Sequence, residues 1–346
     1  MCRFDDISTA KVMDQPHSPT ISVITPLYNS SRHIEETLNS LRRQSFTDWE
    51  SILVNDGSTD DTAATVKPYL EDPRFNYIEQ ANGGVAAARN TGLRAARGEW
   101  VCFLDHDDLW TPTKLERQLA FAVANGYDIV CTAAIAVTDR SREPFRQFYP
   151  AEFVDKLEQS SGDPGIDLFE LLIRHNFLWA SSVMVRKSLL DQVGPFNEAV
   201  APCEDYDMWL RCIPRARVGY LAEPLLEYRI HASNASHNLM RMTENTIRVL
   251  RQAADRHRDD QRRTRQFEAA LIEKHRILLA ELLEDHKYGS ALRRLGSIVA
   301  GNPKGLRLVY RIGDRWLFSI LRKSLLGKRK TRRSVFGDLG TGTSGE

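Results

Sequence analysis

The sequence predicts an α/β protein in which a mostly parallel sheet is covered by helices on both faces. Short runs of β-branched and aromatic residues alternate with segments of helical spacing between Ile21 and about Ala134. Most of these runs end at Pro, Gly, Asn or Asp, the residues that commonly follow strands in turns. Alternation at this spacing is typical of a parallel sheet, because each crossover helix packs on one of its faces.

The predicted elements follow one another along the chain. The first helix places Ile34, Leu38 and Leu41 on one face behind a serine N-cap. The second begins with an acidic turn that suits the helix dipole, glycines open and close the third, and Pro112 lies in the first turn of the fourth. The strands are ISVITPLY, WESILVNDGS, FNYIEQ, WVCFLDHDD and YDIVCTAA, and the helices are SSRHIEETLNSLRRQ, STDDTAATVKPYL, GGVAAARNTGLRAARG and TPTKLERQLAFAVANG.

Bulk composition excludes several classes of protein. The chain has 346 residues, 42% of them hydrophobic and 27% charged, as in an ordinary globular protein of one large domain with an appendage or of two domains. Its five cysteines form no CxxC pair, which argues against a disulfide framework and a zinc site and suits a reducing cytoplasm. The polar N-terminus lacks a signal-peptide pattern, and no apolar run is long enough to predict a transmembrane helix.

The net charge of +1 hides a strong asymmetry along the chain. Residues 1–240 hold 23 basic and 34 acidic side chains, whereas residues 287–346 hold 14 basic and only 3 acidic ones. An acidic body with a basic tail predicts two surfaces that bind different partners.

Polar side chains follow three of the predicted strands. TPLYN follows the first strand, NDGSTDD the second and DHDD the fourth. Because ligands bind beyond the carboxyl ends of parallel strands, all three segments are expected to line one crevice. The aspartates of DHDD would raise one another's pKa values unless the loop is solvated or a divalent cation lies between them. Mg²⁺ and Mn²⁺ prefer such oxygen ligands.

The segments after the first two strands predict a nucleoside pocket. Asp56 is either a turn residue or an acceptor for a nucleobase N–H or a ribose hydroxyl. Beside it, Pro26 removes a backbone donor and exposes Tyr28 and Asn29. This combination favours the nucleoside interpretation of Asp56.

The segment NGGVAAARN matches neither a Walker loop nor GxGxxG. Its paired glycines would let a ligand approach a helix N-terminus, and Arg89 could then reach a phosphate or a base. Alternatively, Ala86, Ala87 and Ala88 are small so that the helix can lie close to the sheet. Both interpretations can hold together.

Two later segments carry further candidates. CEDYDMWLRC begins with acidic residues that suit either a helix first turn or a catalytic carboxylate. In YRIHASNAS, a strand would place Arg229 and His231 on one face, although a lone surface histidine is the plainer interpretation of His231.

Together these motifs resemble the family 2 glycosyltransferases over about residues 20–237. The segments SVITPLYN, VNDGSTDDT, NGGVAAARNTGL, FLDHDD, EDYDMWLR and YRIHASNAS occur in that family's order and rough spacing. The resemblance implies a GT-A fold with a nucleotide-sugar half (20–131) and an acceptor half (132–237). It also implies inverting transfer of a sugar, most simply from a UDP-linked donor, to a hydroxyl of a glycan or lipid-linked acceptor in cell-surface polysaccharide synthesis.

The resemblance assigns roles residue by residue. Asp105 and Asp107 match the DxD pair that binds Mg²⁺ or Mn²⁺ and the donor diphosphate, and Asp205 matches the catalytic base. Arg229 and His231 match a late motif that closes over the pyrophosphate, where the histidine reaches the metal. The implied nucleotide-sugar-binding residues are Thr25, Pro26, Tyr28, Asn29, Asp56, Gly84, Arg89, Asp105 and Arg229, and the implied metal ligands are Asp105, Asp107 and His231.

Outside residues 20–237, the sequence predicts a flexible segment at 1–19, a helical extension at 238–330 and a disordered tail at 331–346. Residues 240–286 read as a long helix that packs on the catalytic domain or on a second subunit. Residues 305–330 form a basic amphipathic helix with Trp316 at the apolar boundary, which predicts peripheral contact with anionic membrane at the cytoplasmic face, or else a helix buried against the body.

Two other functions are less consistent with the sequence. Nucleic-acid binding is disfavoured because the aromatic residues of the tail join its apolar face instead of interleaving with basic residues. A non-catalytic module that only binds nucleotide-sugar is disfavoured because the DxD pair and Asp205 are both present.

Overall fold

The computed structural model describes residues 18–138, 141–144, 149–160, 165–231, 234 and 238–284. The strands are β1 (Ile21–Leu27), β2 (Trp49–Asp56), β3 (Phe75–Gln80), β4 (Trp100–Phe103), β5 (Leu109–Trp110), β6 (Ile129–Val137), β7 (Arg142–Pro144), β8 (Val183–Arg186) and β9 (Val218–Arg229). The helices are α1 (Ile34–Arg42), α2 (Thr62–Val66), α3 (Val85–Ala95), α4 (Lys114–Asn125), α5 (Ala151–Gln159), α6 (Leu168–Arg174), α7 (Lys187–Val193), α8 (Glu204–Cys212), α9 (Leu239–Arg256) and α10 (Gln261–Glu284).

One mixed sheet organises these elements, in the order β3-β2-β1-β4-β8-β6-β9-β5, with β7 paired to β6. Strands β3, β2, β1 and β4 are parallel, as the sequence predicts. Beyond β4 the sheet becomes mixed, because β8 runs antiparallel to both β4 and β6. Strand β8 has only four residues, and so short an apolar run cannot be distinguished from a helix by its period.

The parallel half places the predicted polar segments at one edge. β1 and β2 are buried along their whole length, and α3 packs tightly on them. A Cβ on Gly92 of α3 would lie 2.4 Å from Cγ2 of Ile24 in β1, and Ala86 and Ala88 are buried. Small residues in α3 therefore let the helix approach the sheet closely, at Gly92 and at the buried Ala86 and Ala88, whereas Ala87 is only half-buried.

The C-terminal part of the described chain packs on the body that contains the sheet, because Val249 of α9 and Phe267 of α10 belong to its main apolar core. The prediction of one long helix over residues 240–286 is wrong, because the chain forms two helices, α9 and α10, which are separated by residues 257–260. Asp260 starts the second helix, since its Oδ1 accepts hydrogen bonds from the backbone N–H groups of Arg262 (2.8 Å) and Arg263 (3.0 Å). Ile247 of α9 joins leucines of α10 in an apolar cluster.

The segments predicted to be flexible (1–17 of 1–19), amphipathic (305–330) and disordered (331–346) lie outside the described residues. Across the helices that are described, none combines the length and apolar character needed to cross a bilayer.

Candidate active site

Asp56 organises the loop that leads into α3. Its Oδ1 accepts hydrogen bonds from Gln80 Nε2 (2.7 Å) and the Gly83 N–H (2.8 Å), and its Oδ2 accepts one from the Gly84 N–H (2.7 Å). Gly84 adopts φ +88°, a left-handed conformation that favours glycine. Asp56 therefore anchors the loop at the end of β3, a contact that the sequence did not predict, and its contact with a nucleobase remains a prediction.

The loops after β1 and β2 are joined through Asn29. Its backbone N–H donates to Ser58 Oγ (3.0 Å), and its Oδ1 accepts from the Thr59 N–H (2.8 Å). Tyr28 next to it is half exposed. The structure therefore brings the two predicted nucleoside-binding segments into one wall, as the parallel sheet requires. Behind this wall, Thr25 is buried and Pro26 is in register with Val54 of β2.

Arg89 of α3 links the DHDD segment after β4 to α8. Its side chain is 4% exposed, its Nη2 donates to Asp105 Oδ1 (2.7 Å), and its Nη1 pairs with Glu204 Oε1. Burial opposes the charge of Arg89, but Asp105 and Glu204 outweigh it and raise the pKa of the guanidinium above its ordinary value. The sequence predicts a phosphate or base as the partner of Arg89, whereas the structure gives it two carboxylates.

Replacing Arg89 with methionine is expected to lower the free energy of unfolding by about 3–5 kcal/mol, because Glu204 would remain buried without a positive partner. Urea denaturation at neutral pH measures the change. Arg117→Met removes an exposed ion pair with Glu223 and should have a much smaller effect. Equal losses in the two variants would contradict a structural role for the buried pair.

Asp205 lies in the first turn of α8 and accepts hydrogen bonds from the Tyr206 N–H (2.6 Å) and from Asn176 Nδ2 (3.4 Å). Burial and the charge of Glu204 raise the pKa of Asp205 to about 7, against the opposing effect of Arg89. A carboxyl group with a pKa near neutral is well matched to general-base catalysis at physiological pH.

Asp107 contacts the late motif across the crevice. Its Oδ2 lies 2.9 Å from His231 Nε2 and 3.4 Å from Asn234 Nδ2. Burial would raise the pKa of Asp107, but the hydrogen bond from His231 and the charge of His106 outweigh it, so the pKa lies below its ordinary value. Asn234 Oδ1 also accepts from the His231 N–H (2.5 Å), so Asp107, His231 and Asn234 contact one another.

The end of β9 corrects one expectation. Strand β9 ends at Arg229, so Arg229 and His231 do not share a strand face. They meet instead through His33, whose ring stacks on His231 with 4.9 Å between centroids and whose Nδ1 lies 2.8 Å from Arg229 Nη1. Arg229 Nη2 also donates to Glu36 Oε2 at 2.5 Å.

Asp108 is the third aspartate of DHDD and received no role from the sequence. It is buried, and its Oδ1 accepts from the Arg229 N–H at 3.2 Å. Burial and the charges of Asp107 and Asp105 raise the pKa of Asp108 well above its ordinary value. Sequence reasoning also missed His33, Glu36 and Asn234, of which only Asn234, within YRIHASNAS, offered a signal. It named Glu204 among the acidic residues of CEDYDMWLRC but did not predict its contact with Arg89.

The comparisons with known proteins identify the family. The family model described as Glycosyl transferase family 2 matches residues 22–194, half of the chain. The chain belongs to glycosyltransferase family 2. This glycosyltransferase is 31% identical over 238 residues to the putative teichuronic acid biosynthesis glycosyltransferase TuaG of Bacillus subtilis, across 68% of its own length and 88% of TuaG. The prediction of a nucleotide-sugar-dependent transferase is confirmed at the level of the enzyme class.

Solved structures share its fold. The S. aureus TarS 1–349 structure in complex with UDP-GlcNAc aligns with a TM-score of 0.56 and 23% identity, covering 87% of this chain and 79% of that one. A mannosyltransferase from Pyrobaculum calidifontis, in complex with GDP-Man and Mn²⁺, aligns with a TM-score of 0.56 and 19% identity over 91% and 89% of the two chains. The predicted GT-A fold is confirmed. The chain spans 43% of the longer TarS chain.

Proposed function

We propose that this glycosyltransferase moves a sugar, with inversion, from a UDP-linked donor to a hydroxyl of a glycan or lipid-linked acceptor in cell-surface polysaccharide synthesis. The observation that carries the proposal is the chain of contacts from Asp105 through Arg89 to Glu204, the residue next to Asp205. It joins the DxD segment after β4 to the residue that precedes the carboxylate proposed to act on the acceptor. The teichuronic acid biosynthesis name of TuaG and the UDP-GlcNAc in the TarS structure support the donor and product classes.

In this proposal Asp205 is the general base. An acceptor hydroxyl is a weak nucleophile until its proton is removed, and a positioned base contributes about 10²- to 10⁴-fold to the rate. The hydroxyl would attack the anomeric carbon from the face opposite the leaving diphosphate, and Asp205 would take its proton. Asn176 orients the carboxylate by donating to Oδ2.

The side chains at the DxD segment fit a divalent cation in chemical type. Asp105 and Asp107 offer carboxylate oxygens and His231 an imidazole nitrogen, and the last two already lie 2.9 Å apart. Within the described ranges, no three His, Cys, Asp or Glu side chains converge on a metal position, so the donor diphosphate would supply further ligands. We assign Asp105, Asp107 and His231 to Mg²⁺ or Mn²⁺. Such an ion neutralises charge on the leaving diphosphate when it is bound.

The nucleoside is assigned to the wall formed by the loops after β1 and β2. Asp56 would accept from the base, and Tyr28, Pro26 and Asn29 would line the pocket. There is space for a ligand beside Gly84 at the start of α3, because no heavy atom apart from its chain neighbours lies within 4 Å of where a Cβ would be. Arg229, held by Glu36 and His33, would close over the pyrophosphate.

A screen of UDP- and GDP-sugars for hydrolysis in the presence of Mn²⁺ tests the proposal. We expect one UDP-sugar to be hydrolysed faster than the others, with release of UDP. Nucleotide binding without hydrolysis of any donor would instead support the non-catalytic binding module.

The C-terminal tail is assigned to membrane contact on sequence grounds alone. Deleting residues 287–346 is expected to release the protein from anionic liposomes without loss of donor hydrolysis, because basic residues near an anionic surface contribute about 1 kcal/mol each and apolar insertion adds to this. Co-sedimentation at low and high salt measures the effect. In a full-length control, glutamine replaces Arg307, Arg311, Arg315 and Arg322. This variant keeps the predicted apolar face and should lose the salt-dependent part of liposome binding. The assignment would be contradicted if the truncated protein still sedimented with the liposomes, or if the full-length protein did not.

A further inference from the structure

We propose that α9, which lies outside the matched family region, is a positioning element for the catalytic base. Its polar side chains support the segment 197–203 that leads into α8, called the base segment below, and so they set the position of Asp205 in the crevice. This inference rests on the proposed role of Asp205.

The supporting contacts come from one face of α9. Asn245 Nδ2 donates to the Ala201 carbonyl (2.8 Å), and Arg248 Nη1 donates to the Ala199 carbonyl (2.8 Å). These residues are three apart, a spacing that puts side chains on the same helix face. One turn further along, Gln252 Oε1 accepts from Asn197 Nδ2 (3.2 Å).

Two more contacts bracket the base itself. Before it, Cys203 Sγ donates to the Met242 carbonyl of α9 (3.5 Å). After it, Asp207 is buried and accepts from Arg256 Nη2 of α9 (3.1 Å) as well as from Arg211 Nε (2.9 Å). Asp205 therefore lies between two residues whose side chains are both bonded to α9.

The opposite side of the segment is held by the donor half of the crevice. Asn90 of α3 follows Arg89, and its Oδ1 accepts from the Phe196 N–H (2.7 Å), while its Nδ2 donates to the Phe196 carbonyl (3.1 Å). The segment is thus clamped between α3 and α9. Helix α9 provides partners for two backbone carbonyl groups of the segment, those of Ala199 and Ala201.

This arrangement predicts which kinetic parameter depends on α9. The proposed donor contacts lie on the loops after β1 and β2, on α3, on the DxD segment and at Arg229 and His231. The contacts of α9 described above fall instead on residues 197–207. Weakening them should displace the base from the acceptor hydroxyl without disturbing the donor. Displacements of about 1 Å at a reacting group can reduce rates by up to roughly 10²-fold.

The test compares arginines on the same helix. Arg248 and Arg251 are both exposed. Arg251 Nη2 lies 3.4 Å from His275 Nε2 of α10, whereas Arg248 contacts the segment 197–203. In UDP-GlcNAc hydrolysis with Mn²⁺, Arg248→Ala is expected to lower kcat by about tenfold with unchanged KM for the donor, and Arg248→Lys to restore part of it. Arg251→Ala should retain the wild-type kcat.

A second matched pair is buried. Asn245→Ala removes the bond to Ala201, whereas Thr243→Val removes a bond of α9 to Glu281 of α10 (3.4 Å). Only Asn245→Ala should lower kcat. Amide hydrogen exchange over residues 197–205 can be measured without turnover. It should be faster than in the wild type in Arg248→Ala and Asn245→Ala, but not in the control variants Arg251→Ala and Thr243→Val.

The positioning role would be overturned if the two variants of each pair had equal kcat or equal exchange rates. It would also be overturned if the loss of activity came from a higher KM for the donor. Asp205→Asn in the same assay separates the two levels of the argument. If Asp205→Asn keeps its activity, the proposed base fails; if it loses activity while Arg248→Ala and Asn245→Ala do not, only the positioning role fails.

Discussion

Asp205→Asn is expected to lower the kcat of transfer by about two orders of magnitude or more while the affinities for nucleotide and metal stay nearly the same. Asparagine keeps the size and polarity of aspartate, and its oxygen can still accept from the Tyr206 N–H, but it cannot take a proton. Single-turnover kinetics, together with calorimetry of UDP and Mn²⁺, measures both quantities.

The pH dependence of kcat tests the role of Asp205 as the general base independently. Burial and Glu204 raise the pKa of Asp205 to about 7, so the carboxyl keeps its proton up to near-neutral pH and the base form is depleted below it. The kcat of the wild type should therefore rise with pH through about 7, and this rise should be absent from Asp205→Asn.

Asp191→Asn, which changes an exposed carboxylate on α7, is the matched control and should behave as the wild type. Transfer by Asp205→Asn within a few-fold of the wild type would move the base elsewhere, and Glu204 and Asp207 would be the next candidates.

Asp107→Ala is expected to remove the Mn²⁺-dependent part of donor binding. The substitution deletes a proposed ligand of the ion and the partner of His231, which lies 2.9 Å from Asp107. Even the loss of groups that only orient metal ligands reduces metal affinity by about 10- to 100-fold, so the loss of a ligand should cost at least this much.

Calorimetry of UDP with and without Mn²⁺ is the measurement. The wild type should bind UDP more tightly when Mn²⁺ is present, and Asp107→Ala should show little difference between the two conditions. Asp155→Ala, an exposed site on α5, provides the control. An unchanged Mn²⁺ effect in Asp107→Ala would exclude Asp107 as a metal ligand.

The front half of the fold was predictable because its signals are local. Period and turn residues act within about ten residues, and they located β1 to β4 and the helices between them. The serine N-cap predicted for α1 is wrong, because the N-cap residue is His33 and no side chain caps the helix. The rule that parallel strands share one binding edge then brought Asn29, Asp56 and Asp105 to one crevice. The resemblance to the family supplied the expected roles of Asp205, Arg229 and His231, which periodicity alone would not have given.

The sequence by itself thus determined the parallel half of the sheet, the polar edge and the candidate residues along it. Only the tertiary structure decided which of these residues contact one another. Arg89 and Glu204 are 115 positions apart and Asp107 and His231 are 124 apart, so their pairing depends on the order of strands and the packing of helices. The antiparallel β8, the support of the base segment by α9 and the burial that raises the pKa of Asp205 have the same origin. Each depends on surroundings built from distant parts of the chain, which no local pattern encodes.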